Sequence, residues 1–415
     1  MALPSPTLNF TIPSVHDDTI LDCRIYHPAS FSYSPNDLAE GRWRKKGAIV
    51  AHPYAPLGGS YDDPVVAAIA KEVRRTGYVV GTFNFRGAGY SKGRTSWTAK
   101  AEVADYVSFA AFFVHYLHHL EPPSGRNRPQ PFCSASDGTL TTIPSSVVPL
   151  SPSAEGDEKL KISLIIGGYS YGALIAMNLP PIQALLAQFV GVEEGSSEAE
   201  IVLRAERLAS QWNREAQAGI ESGRGRSIGH LATRSVSNPV IVGGEESQPG
   251  VRHPSRESRR SMDSVRKSLD VIRSSPSQRR QASRRDSSRQ GVEILGNAVP
   301  SAPDVSYLLV SPLLPPISAF ATFFSDPSRV WGLSVKTSAV KARDKLAIHP
   351  TAVIWGTKDI FTSHKKLRKW AEDLAGQPLS KFRFLEILDA GHFFHEEGVE
   401  DQLKRYVRSW SHEIQ

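Results

Sequence analysis

The sequence predicts an α/β fold: a mostly parallel sheet of eight strands, with helices on both faces and a large disordered insertion. Short apolar runs of strand length alternate with amphipathic stretches of helical length, which is typical of parallel sheets built from crossover connections. The strands are apolar along their length, as in AIVA at 48–51, so both faces of the sheet should be covered. The insertion is indicated by residues 223–290, which are rich in Ser and Arg and almost free of aromatic residues.

The eight strands are expected in chain order, and the first two form an antiparallel pair. They lie at 8–12, 20–26, 48–51, 78–85, 161–166, 307–310, 352–355 and 382–387. Helices are expected at 64–75, at 100–120, from 171, at 365–374 and at 397–410. The first helix has Asp62 or Asp63 as its N-cap and Pro64 in its first turn, where a proline removes no helical hydrogen bond. This alternation predicts one domain over residues 1–415.

Three segments interrupt the alternation of strands and helices. Residues 121–156 are rich in Pro and Ser and are predicted to form a surface loop. Residues 181–222 hold two helical stretches, and we interpret them as a helical lid. Residues 223–290 cannot bury enough apolar surface to offset their ordering entropy, so we expect them to be disordered. A domain tolerates such an insertion because the cost of closing a loop grows only logarithmically with its length.

The net charge of +7 is concentrated in one part of the chain. Residues 224–289 hold 15 Lys and Arg against 6 Asp and Glu, a net +9, so the other residues sum to −2. The basic balance therefore does not indicate nucleic-acid binding. The two cysteines, Cys23 and Cys133, exclude a disulfide scaffold and a Cys-based zinc site, and we expect neither a metal nor a cofactor.

The sequence carries no pattern that points to a membrane or a secretory route. The first residues, MALPSPTLNFTIPS, have neither a basic nor an apolar region of the kind that targeting signals need. No run approaches 18 apolar residues, which a membrane-spanning helix requires. We therefore expect a cytoplasmic protein without stable membrane insertion.

The candidate nucleophile lies in the string GYSYG, which fits G-x-S-x-G at 168–172. The strand ISLII precedes it and the helix ALIAMNL follows it, and this context is what makes the pattern specific. The two glycines are needed because a Cβ at either position would collide with the neighbouring strand and helix. The turn lifts the hydroxyl of Ser170 above the sheet edge, at the positive end of a helix.

A serine nucleophile needs a base that is held by a third group, and these residues follow in the order Ser, acid, His in this architecture. Asp359 comes after the strand TAVIW, and His392 comes after the strand FRFLEIL. Both therefore belong to the carboxyl edge of the sheet, where α/β proteins build their sites. Asp326 is the main alternative for the acid, whereas Asp389 is too close in sequence to His392 to be favoured.

Two backbone N–H groups are expected to form an oxyanion hole. One belongs to Tyr171, the residue after the serine, and the other to the loop HPYAPLGG, which follows the strand AIVA. Pro53 and Pro56 have no N–H, so Tyr54 is the donor we expect. His52 should shape this loop by hydrogen bonding rather than titrate in catalysis.

Four blocks of the sequence resemble the α/β-hydrolase superfamily and, more narrowly, its compact hydrolases without a lid. The blocks are HPYAPLGG, FNFRGAGYS, GYSYG and AGHFF, and they fall in this order at predicted strand ends. The resemblance implies an eight-stranded, mostly parallel sheet and a Ser-Asp-His triad, which by position is Ser170, Asp359 and His392. The long Ser/Arg insertion has no counterpart in the compact relatives.

These residues predict a serine hydrolase that cleaves a carboxylic ester or a related acyl bond of a small-molecule substrate through an acyl-enzyme. His392 acts as the base and Asp359 orients it. An acyltransferase or a peptidase with the same three residues is the first alternative, because a fold alone does not separate these activities. The apolar loop SPLLPPISAFATFF after Val310 favours an apolar acyl group.

A second alternative is a phosphorylation-regulated binding protein on a hydrolase fold. Residues 234–239 fit R-S-x-S-x-P, which resembles a 14-3-3 docking site once Ser237 is phosphorylated. Ser261 follows two arginines, and Ser287 lies in a pattern typical of basophilic kinases. Phosphate on these serines would cancel much of the local positive charge.

Overall fold

The computed structural model of the protein describes residues 3–28, 45–96, 98–121, 162–223, 241–242, 301–314 and 345–414. These residues all belong to one unit, which is made of residues 1–243 and 295–415. A second unit, residues 244–294, lies outside the described residues. So do the predicted surface loop at 121–156, apart from Glu121, and nearly all of the predicted disordered segment at 223–290.

Nine strands of the described residues form one sheet. They are β1 Leu8–Pro13, β2 Ile20–Tyr26, β3 Lys45–Ala51, β4 Val79–Phe83, β5 Ile162–Tyr169, β6 Ile241–Val242, β7 Asp304–Val310, β8 Thr351–Gly356 and β9 Phe382–Ile387. Their order across the sheet is β6-β1-β2-β4-β3-β5-β7-β8-β9. Strand β2 runs antiparallel to β1 and β4, and all other neighbours are parallel. The carboxyl ends of β3, β4, β5, β7, β8 and β9 therefore meet at one edge.

Eight of these strands are the ones that the sequence predicts, and the α/β-hydrolase fold is confirmed. The ninth strand, β6, corrects the prediction of disorder at two positions, Ile241 and Val242. These two residues pair in parallel with Asn9 and Phe10 of β1. Without β6, strand β1 would be the edge of the sheet, and β6 pairs with the backbone groups that this edge would leave free. A two-residue strand carries no hydrophobic alternation, and the sequence pattern cannot reveal it.

Seven helices cover the sheet in the described part of the chain. They are α1 Pro64–Arg75, α2 Lys100–His119, α3 Tyr171–Asn178, α4 Ile182–Leu186, α5 Ser197–Gly223, α6 His364–Ala375 and α7 Val399–Glu413. Helices α1 and α7 share one apolar cluster with one face of the sheet, and the other helices share a second cluster with the opposite face. Helix α1 begins as predicted, because the carboxylate of Asp63 accepts hydrogen bonds from the backbone N–H groups of Val65 and Val66.

Helix α2 is buried from Ala101 to Leu117, which is unusual for a surface helix. On its inner side the sheet comes very close: a Cβ added at Gly47 would lie 2.3 Å from the side chain of Leu117. On its outer side it packs against α5. The buried side chains of α5 belong to the same apolar cluster, and they are Ile201, Val202, Ala205, Leu208 and Ala209.

This packing corrects the lid interpretation only for α5, the longer of the two helical stretches at 181–222, and for the rest of that segment the lid stays a prediction. Helix α5 lies against α2 and β1, and Arg204 donates a hydrogen bond to the backbone carbonyl of Thr11. Its amphipathic pattern matches the apolar outer side of α2 rather than a cover over the site. A sequence shows that a helix has an apolar face, but it does not show which surface that face meets.

Among the described residues, no single helix is both long and apolar enough to cross a bilayer. Two helical segments that meet at a bend of 85°, Tyr171–Asn178 and Ile182–Phe189, reach the required length and composition only as a pair.

Candidate active site

The turn between β5 and α3 holds Ser170 in a strained conformation. Its φ of 55° lies in the left-handed region, which costs a residue other than glycine on the order of 1–3 kcal/mol. A Cβ at Gly168 would lie 2.5 Å from the carbonyl carbon of Gly172, and one at Gly172 would lie 2.4 Å from the carbonyl oxygen of Ala51. Both glycines are thus required, as the sequence predicts. The backbone N–H of Ser170 donates to the carbonyl of Val310 and anchors the turn to β7.

The structure brings Ser170, His392 and Asp359 together in one buried hydrogen-bond chain. Nε2 of His392 lies 2.9 Å from Oγ of Ser170, and Nδ1 lies 2.7 Å from Oδ2 of Asp359. A carboxylate only accepts hydrogen bonds, so Nδ1 of His392 carries a proton and donates it to Asp359. Nε2 is then free to accept the hydroxyl proton of Ser170. Three residues from three separate loops thus meet at the carboxyl edge of the sheet.

The carboxylate of Asp359 is held in its ionised form. Burial raises its pKa, but the hydrogen bonds that it accepts from His392 and from two backbone N–H groups lower it more, so the pKa lies below its ordinary value. The backbone N–H groups of Phe361 and Thr362 also donate to its Oδ1, at 2.8 and 3.2 Å. These contacts leave Oδ2 directed at the imidazole. The acid therefore remains available to hold His392 in one tautomer and orientation.

Two further side chains hold the imidazole in place, and the sequence reasoning missed both. The hydroxyl of Tyr169 donates to the backbone carbonyl of His392 at 2.9 Å. The ring of Phe361 packs against the imidazole with a centroid distance of 4.5 Å. Tyr169 directly precedes Ser170, but nothing in its local pattern indicates a partner 223 residues away. Contacts of this kind follow from the fold and not from a motif.

Of the two alternatives for the acid, the structure describes Asp389 but not Asp326. Asp389 is exposed and pairs with Lys358 at 3.0 Å, so it does not orient His392. Asp326 lies outside the described residues. The other nearby histidines, His395 and His364, do not belong to the hydrogen-bond chain. Asp359 is therefore the carboxylate that the described part of the chain presents to the imidazole.

The two residues predicted to form an oxyanion hole are neighbours in space. The rings of Tyr54 and Tyr171 meet edge to face with centroids 5.1 Å apart. Tyr54 lies in the loop after β3, and Tyr171 opens α3 directly after Ser170. Within the described residues, neither backbone N–H group donates to a protein acceptor. Both N–H groups therefore remain available to a ligand oxygen.

His52 fixes the loop that carries Tyr54, as the sequence predicts. Its Nδ1 lies 2.6 Å from the carbonyl oxygen of Pro53, and its Nε2 accepts the backbone N–H of Phe85 at 2.9 Å. Burial lowers the pKa of His52 to about 4, so the ring is neutral at pH 7. Because a trans peptide points its C=O and N–H in opposite directions, holding the Pro53 carbonyl also sets the direction of the Tyr54 N–H.

A cavity of about 680 Å³ opens beside the loop that follows His392, on the side of α1 and α7. Aromatic and acidic side chains line it, among them Tyr26, Tyr61, Phe394, Glu397 and Asp401. Its lining does not include Ser170, His392 or Asp359. This cavity therefore does not define the acyl pocket of the hydrogen-bonded site.

Several sequence predictions lie outside the described residues. These are the candidate phosphosites Ser237, Ser261 and Ser287, together with most of the apolar loop after Val310. The 14-3-3 interaction that depends on those serines stays a prediction. Within the ranges that the structure describes, no group of three or more His, Cys, Asp or Glu side chains could hold a metal ion.

Solved structures similar to this chain are α/β serine hydrolases and esterases. An α/β serine hydrolase homologue from Coxiella burnetii is 13% identical, with 98% of this chain and 99% of that chain covered at a TM-score of 0.42. A serine hydrolase without a lid from Xanthomonas campestris is 14% identical, with 100% and 97% covered at 0.41. An esterase from Pyrococcus furiosus is 11% identical, with 99% and 97% covered at 0.40. No family model and no curated protein matches the chain.

Proposed function

We propose that the chain is a serine hydrolase that cleaves a carboxylic ester or a related acyl bond through an acyl-enzyme intermediate. The observation that carries the proposal is the buried hydrogen-bond chain from Asp359 through His392 to Ser170, with distances of 2.7 and 2.9 Å. A serine hydroxyl attacks a carbonyl only when a positioned base accepts its proton. The strained turn at Ser170 supports the same reading, because such strain persists where function requires it.

The first half of the reaction transfers the acyl group to the enzyme. Oγ of Ser170 attacks the carbonyl carbon while its proton moves to Nε2 of His392. The oxyanion that forms accepts hydrogen bonds from the backbone N–H groups of Tyr54 and Tyr171. His392 then gives its proton to the departing alkoxide, which leaves as the alcohol. Removing one oxyanion donor from such a site costs roughly 3 kcal/mol, or about two to three decades in rate.

The second half of the reaction returns the enzyme to its starting state. His392 takes a proton from water as the water oxygen attacks the acyl carbon of the ester on Ser170. The tetrahedral intermediate collapses, the acid leaves, and the proton on Nε2 passes back to Oγ. Asp359 stays ionised throughout and stabilises the imidazolium, which agrees with a pKa below its ordinary value.

The side chains around Ser170 favour an apolar acyl group. The rings of Tyr54 and Tyr171 contact each other beside the turn that carries Ser170, and Phe361 packs against His392. The apolar sequence that follows Val310 agrees with this choice. We infer a preference for an acyl chain longer than acetyl, which a series of p-nitrophenyl esters of graded length measures as kcat/KM.

A fluorophosphonate probe tests the proposal directly. The wild type should be labelled at one residue, and Ser170→Ala should not be labelled and should lose hydrolysis of p-nitrophenyl esters. Ser311→Ala is the matched control, because Ser311 is also a buried serine with a positive φ at the end of a strand. If the wild type stays unlabelled while a known esterase reacts, the proposed function is wrong.

The same preparation separates hydrolysis from acyl transfer. With an added alcohol or amine acceptor, a hydrolase releases the free acid as its main product. A product that is mainly the new ester or amide would replace hydrolysis by acyl transfer with the same three residues.

A further inference from the structure

Two loops beside the candidate active site expose large apolar side chains. Ile360 comes directly after Asp359 and is 79% exposed. Leu388, which follows the last residue of β9, is 74% exposed, and Phe393, directly after His392, is 49% exposed. Single exposed apolar residues are ordinary, but these three flank the two loops that carry the base and the acid. We refer to Ile360, Leu388 and Phe393 as the apolar rim.

The two loops are joined and form one surface. Nζ of Lys358 lies 3.0 Å from a carboxylate oxygen of Asp389, and the backbone N–H of Asp389 donates to the hydroxyl of Thr357 at 2.9 Å. The rings of Phe361 and Phe393 also meet edge to face, with centroids 6.2 Å apart. The apolar rim is therefore held on a fixed support rather than on two independent loops.

A cluster of lysines lies next to the apolar rim, at the start of α6. Lys365, Lys366 and Lys369 are exposed in the first two turns of the helix, and the first turn contains no acidic residue. Positive charge at a helix N-terminus opposes the helix dipole, and like charges three and four residues apart repel. In the described part of the chain, no ion pair includes these lysines. We refer to the three residues as the basic cluster.

Two carboxylates of the neighbouring strand and loop are already paired. Glu386 of β9 accepts hydrogen bonds from Arg368, and Asp389 pairs with Lys358. The acidic residues of α6 itself, Glu372 and Asp373, come one turn after Lys369, and in the described part of the chain neither forms an ion pair with it. Within the described residues, no ion pair offsets the repulsion among these lysines, whereas an anionic partner would offset it.

We propose that the apolar rim and the basic cluster dock the protein on a lipid surface with anionic headgroups. The apolar side chains enter the boundary between headgroups and acyl chains, and the lysines pair with the phosphates. Three side chains are too few for a stable protein interface, which buries roughly 1,600 Å², whereas a few apolar residues and cations suffice for reversible lipid binding. That the docked enzyme takes acyl esters from this surface rests on the proposed function.

Cosedimentation of the full-length chain with vesicles tests the docking. The wild type should bind vesicles of phosphatidylcholine mixed with phosphatidylserine and should bind pure phosphatidylcholine much more weakly. The double variant Ile360→Ser with Leu388→Ser should lower the partition coefficient about tenfold. The double variant Lys365→Gln with Lys366→Gln should lower it roughly 25-fold, at about a factor of five for each charge.

Matched variants at the other end of the sheet serve as controls. Leu379 is 96% exposed in the connection between α6 and β9, and Leu379→Ser should bind as the wild type does. Lys381→Gln with Arg405→Gln removes the same charge from other surfaces and should reduce binding by less than twofold. Thermal unfolding followed by circular dichroism verifies that each variant is folded.

The outcomes separate the docking from the proposed function. Binding that is equal in all variants would assign the attraction to the basic residues at 224–289 and overturn the docking surface. Absence of wild-type binding, or equal losses in the control variants, would overturn it as well. Fluorophosphonate labelling is measured on the same samples: protein that is labelled but does not bind vesicles disproves only the docking, and protein that binds but is not labelled disproves only the hydrolase.

Discussion

Two buried hydrogen-bond networks lie in loops at the carboxyl edge of the sheet, and they differ in how they end. The Ser170 network runs from Asp359 through His392 to Ser170. The Arg86 network joins Arg86, in the loop after β4, to Asp105 of α2. Both contain a nitrogen base or cation against a buried carboxylate, so burial and charge alone do not tell them apart.

The Arg86 network is closed by the protein itself. Its guanidinium donates to both carboxylate oxygens of Asp105 at 3.0 and 2.7 Å, and also to Asp17 and Ser14. The Ser170 network instead ends at a hydroxyl whose oxygen has no further partner among the described residues, and the available N–H groups of Tyr54 and Tyr171 belong to the same site. The candidate reactive site thus differs from the structural ion pair in having one end that a ligand can reach.

Asp359→Asn tests the Ser170 network and should have the largest effect on catalytic activity. An amide can donate to Nδ1 of His392 and thus move the ring proton to Nε2, which then cannot accept the proton of Ser170. We expect kcat for a p-nitrophenyl ester to fall roughly ten-thousandfold, with the thermal midpoint nearly unchanged. Asp373→Asn, at an exposed position of α6, is the control. A fall of less than tenfold would mean that Asp359 is not the orienting acid.

Asp105→Ala tests the Arg86 network and should lower the stability of the fold rather than its activity. Removing one partner of a buried ion pair leaves the charge of Arg86 with only the half-exposed Asp17. We expect the free energy of unfolding in urea to fall by about 3–5 kcal/mol. The rate of fluorophosphonate labelling should stay within a few-fold of the wild type under folding conditions. A labelling rate that falls as far as in Asp359→Asn would contradict the separation of the two networks.

His52 belongs to the candidate site, but both of its ring nitrogens already have hydrogen-bond partners within the protein. Its pKa is lowered to about 4 by burial, whereas a histidine in the unfolded chain titrates near 6.5. Between these pH values the unfolded chain binds a proton that the native state does not, so stability falls as the pH drops below about 6.5. This residue alone should cost about 2 kcal/mol between pH 7 and pH 5.

Urea unfolding at the two pH values measures this contribution. His52→Asn keeps a hydrogen-bonding side chain but does not titrate, so its loss of stability between pH 7 and pH 5 should be smaller than that of the wild type by the same amount. An identical loss in both proteins would show that His52 is protonated in the native state.

Tyr169→Phe should have the smallest effect, because it removes one hydrogen bond that holds His392 but leaves Ser170, His392 and Asp359 unchanged. The hydrogen bond from the tyrosine hydroxyl to the carbonyl of His392 is worth about 1 kcal/mol. We expect kcat to fall about fivefold with KM unchanged. Tyr78→Phe is the control, since the hydroxyl of Tyr78 is buried and has no hydrogen-bond partner in the part of the chain that the structure describes. An equal loss of kcat in both variants would assign the effect to general packing.

Much of the fold could be predicted because its signals are local. Each of the eight predicted strands is a short apolar run, and the turn around Ser170 needs its glycines for steric reasons that the sequence displays. Asp359 and His392 could be predicted because the carboxyl ends of parallel strands share one edge.

The contacts that were missed depend on which surfaces meet in space. The surface that receives the apolar face of α5 is set by the tertiary packing of α2 and β1, so the sequence pattern allowed a lid as well. The hydrogen bond from Tyr169 to His392 joins two loops across 223 residues. Strand β6 has two residues, which is too short for any periodicity.

The burial of α2 between the sheet and α5 determines which unfolding events expose its backbone amides to solvent. Its backbone amides cannot reach solvent through a local fluctuation, because both sides of the helix are covered. Their hydrogen exchange should therefore report global unfolding, whereas the loops that carry Tyr54 and His392 exchange through smaller openings. A chain shortened by removal of α5 would expose the apolar side of α2 that α5 covers, and it should self-associate before the site at the carboxyl edge is lost.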